Sequence, residues 1–287
     1  MTLISMRSFV SLAAALTALV IAGGAASAAE EGAEIHKQDW TFAGIVGHFD
    51  RAQLRRGYAV YKGVCSACHG MKQLHFRNLG EPGGPEFSQS NVEQFAADAQ
   101  VTDGPNDDGE MFQRPGKPAD RFPLPYPNDK AAAAAQNGAV PPDLSVMAKA
   151  RGIERTAAWY MEPAHWISDV VTAYQEAGPD YITALLTGYS EPPAGMQMAP
   201  GMNFNKAFPG HQIAMPMPLS DGQVDYADGT PATVENYAKD VSAFLMWAAE
   251  PKLEERKRMG LKVMVYLIIL AGLLYLSKRT LWRNVEH

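Results

Sequence analysis

The sequence predicts a mainly α-helical domain that is wrapped by long loops and followed by one membrane-spanning helix. Three observations favour this fold class: apolar residues recur at helical spacing in two distant segments, strand patterns are few, and an apolar run lies near the carboxyl terminus. Glycine and proline turns are frequent between the two helical segments. Because such loops form little regular backbone pairing, we expect them to become ordered against a cofactor.

The amino terminus has the pattern of a secretory signal peptide over residues 1–28. Arg7 precedes an apolar stretch, and small residues then lead to a cleavage site after Ala28 or Ala29. An uncleaved anchor helix is the alternative, but the short apolar core and the Ala-x-Ala site favour export. We therefore expect residues 29–258 to form a periplasmic domain.

The first helix of the exported domain is predicted to begin at Asp50, whose carboxylate can cap the backbone N–H groups that follow it. Leu54, Tyr58 and Tyr61 then repeat at helical spacing along one face. Gly57 lies on the same face, and without a Cβ it lets a second helix approach closely.

That second helix is predicted close to the membrane. Thr230 would cap it, Pro231 would occupy its first position, and Pro251 would end or kink it. A further helix leads into residues 259–278, which are just long enough to span a bilayer, with a buried or interfacial helix as the alternative. Although more basic residues precede this span than follow it, export of the preceding domain predicts that the tail, residues 279–287, is cytoplasmic.

Charge restricts the class of partner. Residues 30–258 contain 30 acidic and 20 basic residues, a net charge of 20 − 30 = −10. An acidic domain disfavours nucleic acid and attracts a protein with a basic face, although acidity also serves solubility alone. Several carboxylates lie in one loop: Asp103, Asp107, Asp108 and Glu110. This loop is either part of a docking patch or merely solvated.

The two cysteines lie in one motif, Cys65-Ser66-Ala67-Cys68-His69. Thiols at this spacing reach the two vinyl groups of one porphyrin, and the imidazole of His69 then lies where it can bind the iron, so the motif indicates a covalently attached haem c. A redox dithiol and a zinc site are the rival interpretations. The dithiol is typical of a βαβ unit, whereas a helix is predicted before this motif, and zinc would need two of the seven histidines in addition to the cysteine pair.

A second axial ligand is expected on the far side of the iron, where thioether sulfur favours the ferrous state. Met215 is preferred because Pro216 and Pro218 stiffen the loop that carries it. The alternatives are Met217, His165 and His211.

Two more residues are candidates for the surroundings of the haem. The carbonyl of Pro142 can accept the free ring N–H of His69 and so determine the tautomer of the imidazole. Arg151 can grip a haem propionate with two parallel hydrogen bonds. An ordinary turn and a solvated helix end are the respective alternatives.

The chain resembles the cytochrome c1 family over nearly its whole length. The matching segments include residues 55–58, 65–69, 114–117, 141–145, 185–189, 228–233 and 256–262. The resemblance implies a class I cytochrome c-like domain with long loop insertions and one carboxyl-terminal transmembrane helix. It also implies that His69 and Met215 bind the iron and that Arg151 faces a propionate.

The resemblance further implies a function. Members of the family pass electrons from the Rieske iron–sulfur protein to a soluble cytochrome c, next to the cytochrome b subunit of ubiquinol:cytochrome c oxidoreductase, and they have no catalytic side chains of their own. We expect a bacterial inner-membrane protein in a respiratory or photosynthetic chain, with its haem domain in the periplasm. A free-standing anchored cytochrome c that serves an oxidase, and a haem-free thiol–disulfide oxidoreductase, are the alternatives.

Two features depart from the family pattern. Residues 152–178 have no clear counterpart, and their aromatic residues predict an extra amphipathic helix. A cysteine pair that braces the methionine loop in some bacterial relatives is absent, so we expect packing alone to hold the loop around Met215. Met217 stands where a proline is usual.

Overall fold

The computed structural model describes residues 35–151, 160–161, 163–164, 167–169 and 177–284. The predicted signal peptide, His165 and most of the predicted extra helix in residues 152–178 therefore lie outside the described residues. Within the described residues the chain is mainly helical, with two short antiparallel hairpins, and the predicted fold class is confirmed.

The α-helices are separated by loops of very different length. Their bounds are α1 Arg51–Gly63, α2 Gln89–Ala97, α3 Asp129–Ala135, α4 Met147–Ala150, α5 Ala177–Thr187, α6 Val234–Ala249 and α7 Leu253–Leu281. Strands β1 Gln100–Asp103 and β2 Phe112–Pro115 pair antiparallel, as do β3 Asn203–Phe204 and β4 Gln212–Ile213. Short 3-10 turns occupy Cys65–Ala67, Phe76–Gly80, Pro209–His211 and Trp282–Asn284.

Helix α1 begins where the sequence predicts. The carboxylate of Asp50 accepts hydrogen bonds from the backbone N–H groups of Ala52 at 2.9 Å and Gln53 at 3.4 Å. Two backbone donors that the first helical turn leaves without partners are thereby satisfied. The side chains of Leu54 and Tyr61 are buried, as their spacing along one face predicts.

The core of the domain is the contact between α1 and α6, and Gly57 makes it possible. A Cβ at Gly57 would lie 2.1 Å from the carbonyl oxygen of Asp240 and 2.6 Å from the Cβ of Phe244. Beside this contact, Arg56 donates to the buried carboxylate of Asp240 at 2.7 and 3.2 Å. The two helices are thus joined by close backbone packing and by a largely buried ion pair, which is costly to break from either side.

Helix α6 begins later than predicted. Thr233, not Thr230, caps it, with its hydroxyl accepting from the N–H of Asn236 at 3.4 Å. The carbonyl of Pro231 is already bonded to the N–H of Thr233 at 3.0 Å and to the side chain of Asn236 at 2.8 Å, so it is not free to accept the N–H of Glu235, as a helix capped by Thr230 would require. The predicted end is confirmed, since α6 ends at Ala249, before Pro251.

Helix α7 is long and apolar enough to cross a membrane. It begins at Leu253, earlier than the predicted span of residues 259–278, and its 29 residues extend over roughly 44 Å at the usual helical rise. None of its most apolar segment is buried inside the protein. An exposed apolar surface of this length is stable when lipid covers it.

Candidate haem-binding site

The cysteine motif lies directly after α1. The carbonyl of Cys65 accepts the N–H groups of Cys68 at 3.1 Å and His69 at 2.8 Å, which winds the motif into a single 3-10 turn. Both thiols are free. Two thiols and one imidazole therefore lie on the same short segment, and this donor set fits one covalently bound porphyrin with iron.

The imidazole of His69 has one nitrogen engaged. Its Nδ1 lies 2.8 Å from the carbonyl oxygen of Pro142. Because a carbonyl can only accept, Nδ1 carries the proton and Nε2 keeps its lone pair. Burial lowers the pKa of His69, against the opposing influence of the Pro142 bond and the Asp143 charge, and this favours the neutral imidazole that can bind iron.

The loop that carries Pro142 is fastened to the segment that follows His69. The N–H of Leu144 donates to the carbonyl of Gly70 at 2.8 Å, and the carboxylate of Asp143 accepts the N–H of Lys72 at 2.9 Å. These bonds hold the Pro142 carbonyl beside the imidazole independently of the ring itself.

Large apolar side chains near the motif are open to solvent. Leu124 is 54% exposed, Val140 47% and Val146 40%. Leu124 lies against the motif, since a Cβ at Gly70 would be 2.6 Å from its Cδ2, and the two valines flank Pro142 in sequence. Such surface is what a porphyrin would cover, so the residues present fit a haem.

Met215 differs from Met217 in burial and in backbone contacts. The carbonyl of Met215 accepts the hydroxyl of Tyr189 at 3.1 Å and the side-chain amide of Asn203 at 3.4 Å, and its side chain packs partly buried against the core. Met217 is 61% exposed. The structure therefore partly buries the side chain of Met215 and leaves that of Met217 in solvent.

The loop around Met215 is held by hydrogen bonds as well as packing, so the expectation of packing alone is wrong. Asn205 is fully buried, and its amide group donates to the carbonyl of Leu185 in α5 at 2.7 Å. Its side-chain oxygen accepts the N–H groups of Ala207 at 2.9 Å and Phe208 at 3.2 Å. One polar side chain thus ties the loop to a helix in place of a disulfide.

The rival nitrogen ligand His211 belongs to the same hairpin region. Its Nδ1 lies 3.2 Å from the carbonyl oxygen of Asn205, and its ring is 5.7 Å from that of Phe204. These contacts give the imidazole a place in the loop structure. The other rival, His165, lies outside the described residues.

Arg151 is exposed at the carboxyl end of α4, where α5 packs closely. A Cβ at Gly178 would lie 1.7 Å from the carbonyl oxygen of Ala148 and 2.7 Å from that of Arg151. Burial raises the pKa of Tyr181 in α5, and the positive charge of Arg151 acts in the opposite direction.

Comparison with known proteins decides the family. The family model described as the Cytochrome C1 family matches residues 40–285. This chain belongs to the cytochrome c1 family. Membership makes it a haem protein of electron transport, and together with the spacing of Cys65 and Cys68 it confirms the predicted cofactor, one covalent haem c.

The relatives cover almost all of the chain. It is 49% identical over 253 residues to cytochrome c1 of Blastochloris viridis, an alignment that covers 88% of this chain and 87% of the relative. It is 43% identical over 299 residues to cytochrome c1 of Rhodospirillum rubrum, covering 98% and 100%. It is also 54% identical over 246 residues to cytochrome b/c1 of Bradyrhizobium diazoefficiens. That alignment covers 85% of this chain and 35% of the relative.

The structure around the cysteine motif does not favour the two rival interpretations, a redox dithiol and a zinc site. Burial raises the pKa of the Cys65 thiol to about 12, whereas a reactive dithiol needs a thiolate stabilised near neutral pH. In the part of the chain that the structure describes, no three His, Cys, Asp or Glu side chains lie close enough together to hold a metal ion.

Sequence reasoning missed the residues whose side chains form hydrogen bonds to the backbone of the two predicted ligands. The hydroxyl of Tyr61 donates to the carbonyl of His69 at 3.3 Å, as Tyr189 does to Met215. Tyr61 lies in the apolar stripe of α1, where its spacing predicts only a core residue. Asn203 and Asn205 stand in a turn-rich segment where nothing in the sequence separates a structural amide from a solvated one.

Proposed function

We propose that this chain is the haem-bearing electron-transfer subunit of a ubiquinol:cytochrome c oxidoreductase. It takes one electron from a Rieske iron–sulfur protein and passes it to a soluble cytochrome c. Cytochrome c1 family membership supports the complex, and the observation that carries the proposal is the turn in which Cys65, Cys68 and a His69 with an unengaged Nε2 lie together.

When bound, the haem supplies the one-electron chemistry, and the protein supplies attachment, ligands and surroundings. In this proposal Cys65 and Cys68 would form the two thioether bonds, and His69 and Met215 would be the two protein ligands of the iron. The bond from Nδ1 of His69 to Pro142 makes the imidazole a more basic ligand. The thioether of Met215 favours the ferrous state and so raises the reduction potential.

Electron transfer needs no bond-making by side chains, so the chain has no catalytic residues of its own. What it needs is a site that changes little between the two oxidation states. Hydrogen bonds to the backbone on both sides, from Tyr61 and Tyr189, serve that purpose. Arg151 is proposed to pair with a haem propionate and so keep that charge compensated.

The same proposal gives the chain a topology. After cleavage behind Ala28 or Ala29, residues 29–258 form the periplasmic domain, α7 crosses the bacterial inner membrane, and residues 279–287 remain in the cytoplasm. Helix α7 supports the crossing by its length and apolar exposed surface. A haem domain joined directly to the anchor stays near the membrane, beside the cytochrome b subunit that handles quinol.

Acidic charge supports a soluble cytochrome c with a basic face as the electron acceptor. Asp107, Asp108 and Glu110 are exposed in the loop between β1 and β2. Asp103 differs from them, because its carboxylate is paired with Arg114 at 2.5 Å. The docking patch therefore comprises three of the four carboxylates, and electron delivery to the acceptor should slow as salt concentration rises.

A haem stain after denaturing electrophoresis tests the central claim, since only covalent haem survives. Full-length chain produced with cytochrome c maturation should give a stained band that is lost in the Cys65→Ser/Cys68→Ser double variant. Ser66→Ala is the matched control, because Ser66 lies in the same turn and its hydroxyl donates to the carbonyl of Lys62, away from the thiols and the imidazole. An unstained wild-type band would leave the thiol–disulfide alternative.

Copurification from solubilised membranes tests the complex. We expect a b-type cytochrome and an iron–sulfur protein to accompany this chain through affinity and sizing steps. Isolation as a lone, active electron carrier would instead favour a free-standing cytochrome c that serves an oxidase.

A further inference from the structure

The loop of residues 41–48 presents apolar side chains to solvent on a base that is fixed in the core. Ile45 is 51% exposed and Val46 is 79% exposed. On either side, Phe42 and Phe49 are almost completely buried, and their rings lie 5.0 Å apart. The tip is therefore held out from the domain by a packed base.

The backbone of this loop gives the tip a definite position. The N–H of His48 donates to the carbonyl of Thr41 at 3.0 Å and closes the loop. Gly44 has a φ of +72°, and a Cβ at Gly47 would lie 2.0 Å from the carbonyl oxygen of Ala43. Compact closed loops of this kind keep one shape, so the exposure of the tip is part of the fold.

Both edges of the loop are bonded to the first two turns of α7. The ammonium of Lys257 donates to the carbonyls of Phe42 at 2.5 Å and Gly44 at 2.6 Å. One turn earlier, the carboxylate of Glu254 accepts the N–H of Phe49 at 2.9 Å and two bonds from Arg51 at 2.6 and 2.9 Å.

These bonds set the level of the tip along α7. Lys257 precedes Met259, where the apolar span is predicted to begin, by two residues, which is about 3 Å along the helix axis. The carbonyls of Phe42 and Gly44 already have donors, so bringing the tip into an apolar medium leaves those two groups satisfied. An apolar surface made by two side chains is much smaller than a specific protein interface.

We infer that Ile45 and Val46 enter the lipid interface beside α7 and form a second, shallow membrane contact. The inference rests on the proposed membrane position of α7. A single helix leaves a domain free to tilt about its point of entry, whereas a second contact beside it resists tilting. The loop thereby contributes to the height and orientation of the haem site above the bilayer.

Site-directed spin labelling tests this contact in the haem-loaded full chain. Cys65 and Cys68 are occupied once haem is attached, so Val46→Cys provides the single reactive thiol. The labelled protein is placed in vesicles of phosphatidylethanolamine and phosphatidylglycerol, and collisions with lipid-soluble oxygen and a water-soluble nickel chelate are measured. Leu267→Cys in α7 and Met111→Cys in the β1–β2 loop are the lipid and water references, both at exposed positions.

We expect the label at position 46 to have an oxygen-to-nickel ratio several times that of position 111 and below that of position 267. Nickel access equal to that of position 111, with position 267 in lipid, would overturn the inference alone. Nickel access at all three positions would overturn the membrane position of α7 as well. Protection at position 46 that arises only after assembly with a b-type cytochrome would show a protein contact and also reject the lipid contact.

Discussion

The two sides of the candidate haem site are built in opposite ways. His69 belongs to the same turn as Cys65 and Cys68, so local chain geometry brings it to the porphyrin once the thioether bonds form. Met215, the second proposed ligand, lies far along the chain, and its backbone carbonyl accepts hydrogen bonds from Tyr189 and Asn203. One proposed ligand is placed by contiguous residues, and the other is positioned by tertiary structure.

The two sides of the site share one kind of hydrogen bond. The backbone carbonyl of each predicted ligand accepts a tyrosine hydroxyl, from Tyr61 on the His69 side and from Tyr189 on the Met215 side. On the histidine side that bond adds to covalent attachment. On the methionine side it is one of the bonds that position the loop, so the methionine side should respond more strongly to single substitutions.

The largest expected effect is that of His69→Ala. With no imidazole in the attachment turn, we expect holoprotein to fall by at least about tenfold and electron transfer by at least about 100-fold, because the iron loses the ligand that its attachment presents. Haem stain per unit protein and reduction kinetics measure this. His36→Ala, at an exposed position, is the control. Normal haem content and potential in His69→Ala would assign the ligand elsewhere.

Met215→Leu should keep covalent haem but lose the sulfur-to-iron charge-transfer absorption. The reduction potential should fall by on the order of 0.1 V or more, since axial ligands span most of the potential range of haem proteins. Met217→Leu is the matched control and should change neither spectrum nor potential. Loss of the charge-transfer absorption in Met217→Leu but not in Met215→Leu would assign the ligand to Met217.

Asn205→Ala tests whether one buried amide holds the methionine loop. The substitution removes one of the donors to the carbonyl of Leu185 and leaves the backbone N–H groups of Ala207 and Phe208 without their acceptor, which should lower the free energy of unfolding by about 2–3 kcal/mol. The charge-transfer band should be lost on heating before the domain unfolds. Asn91→Ala, on the exposed face of α2, should leave both transitions unchanged.

The smallest expected effect separates the two tyrosines. Tyr61→Phe and Tyr189→Phe should each lower the free energy of unfolding by about 1 kcal/mol, the usual contribution of one hydrogen bond. Only Tyr189→Phe should also lower the temperature at which the charge-transfer band is lost relative to global unfolding. An equal lowering of that temperature in both variants would contradict the proposed difference between the two sides.

Sequence reasoning succeeded where a feature depends on neighbouring residues. Asp50 as a helix cap, the close approach at Gly57 and the end of α6 before Pro251 follow from side-chain chemistry over a few positions. It was wrong about the start of α6, because a bond from Asn236 to Pro231 competes with the helical ladder and shifts the cap to Thr233.

The sequence by itself determined the haem motif, the helical class and the apolar anchor. Each depends on residue spacing within one segment, and spacing is what a sequence records. Tertiary structure decided which methionine is held, how its loop is fastened through Asn205, and that the loop of residues 41–48 is bonded to the first turns of α7. These features join residues that are distant in the chain. Folding brings such residues into contact, and no local sequence pattern indicates which of them will meet.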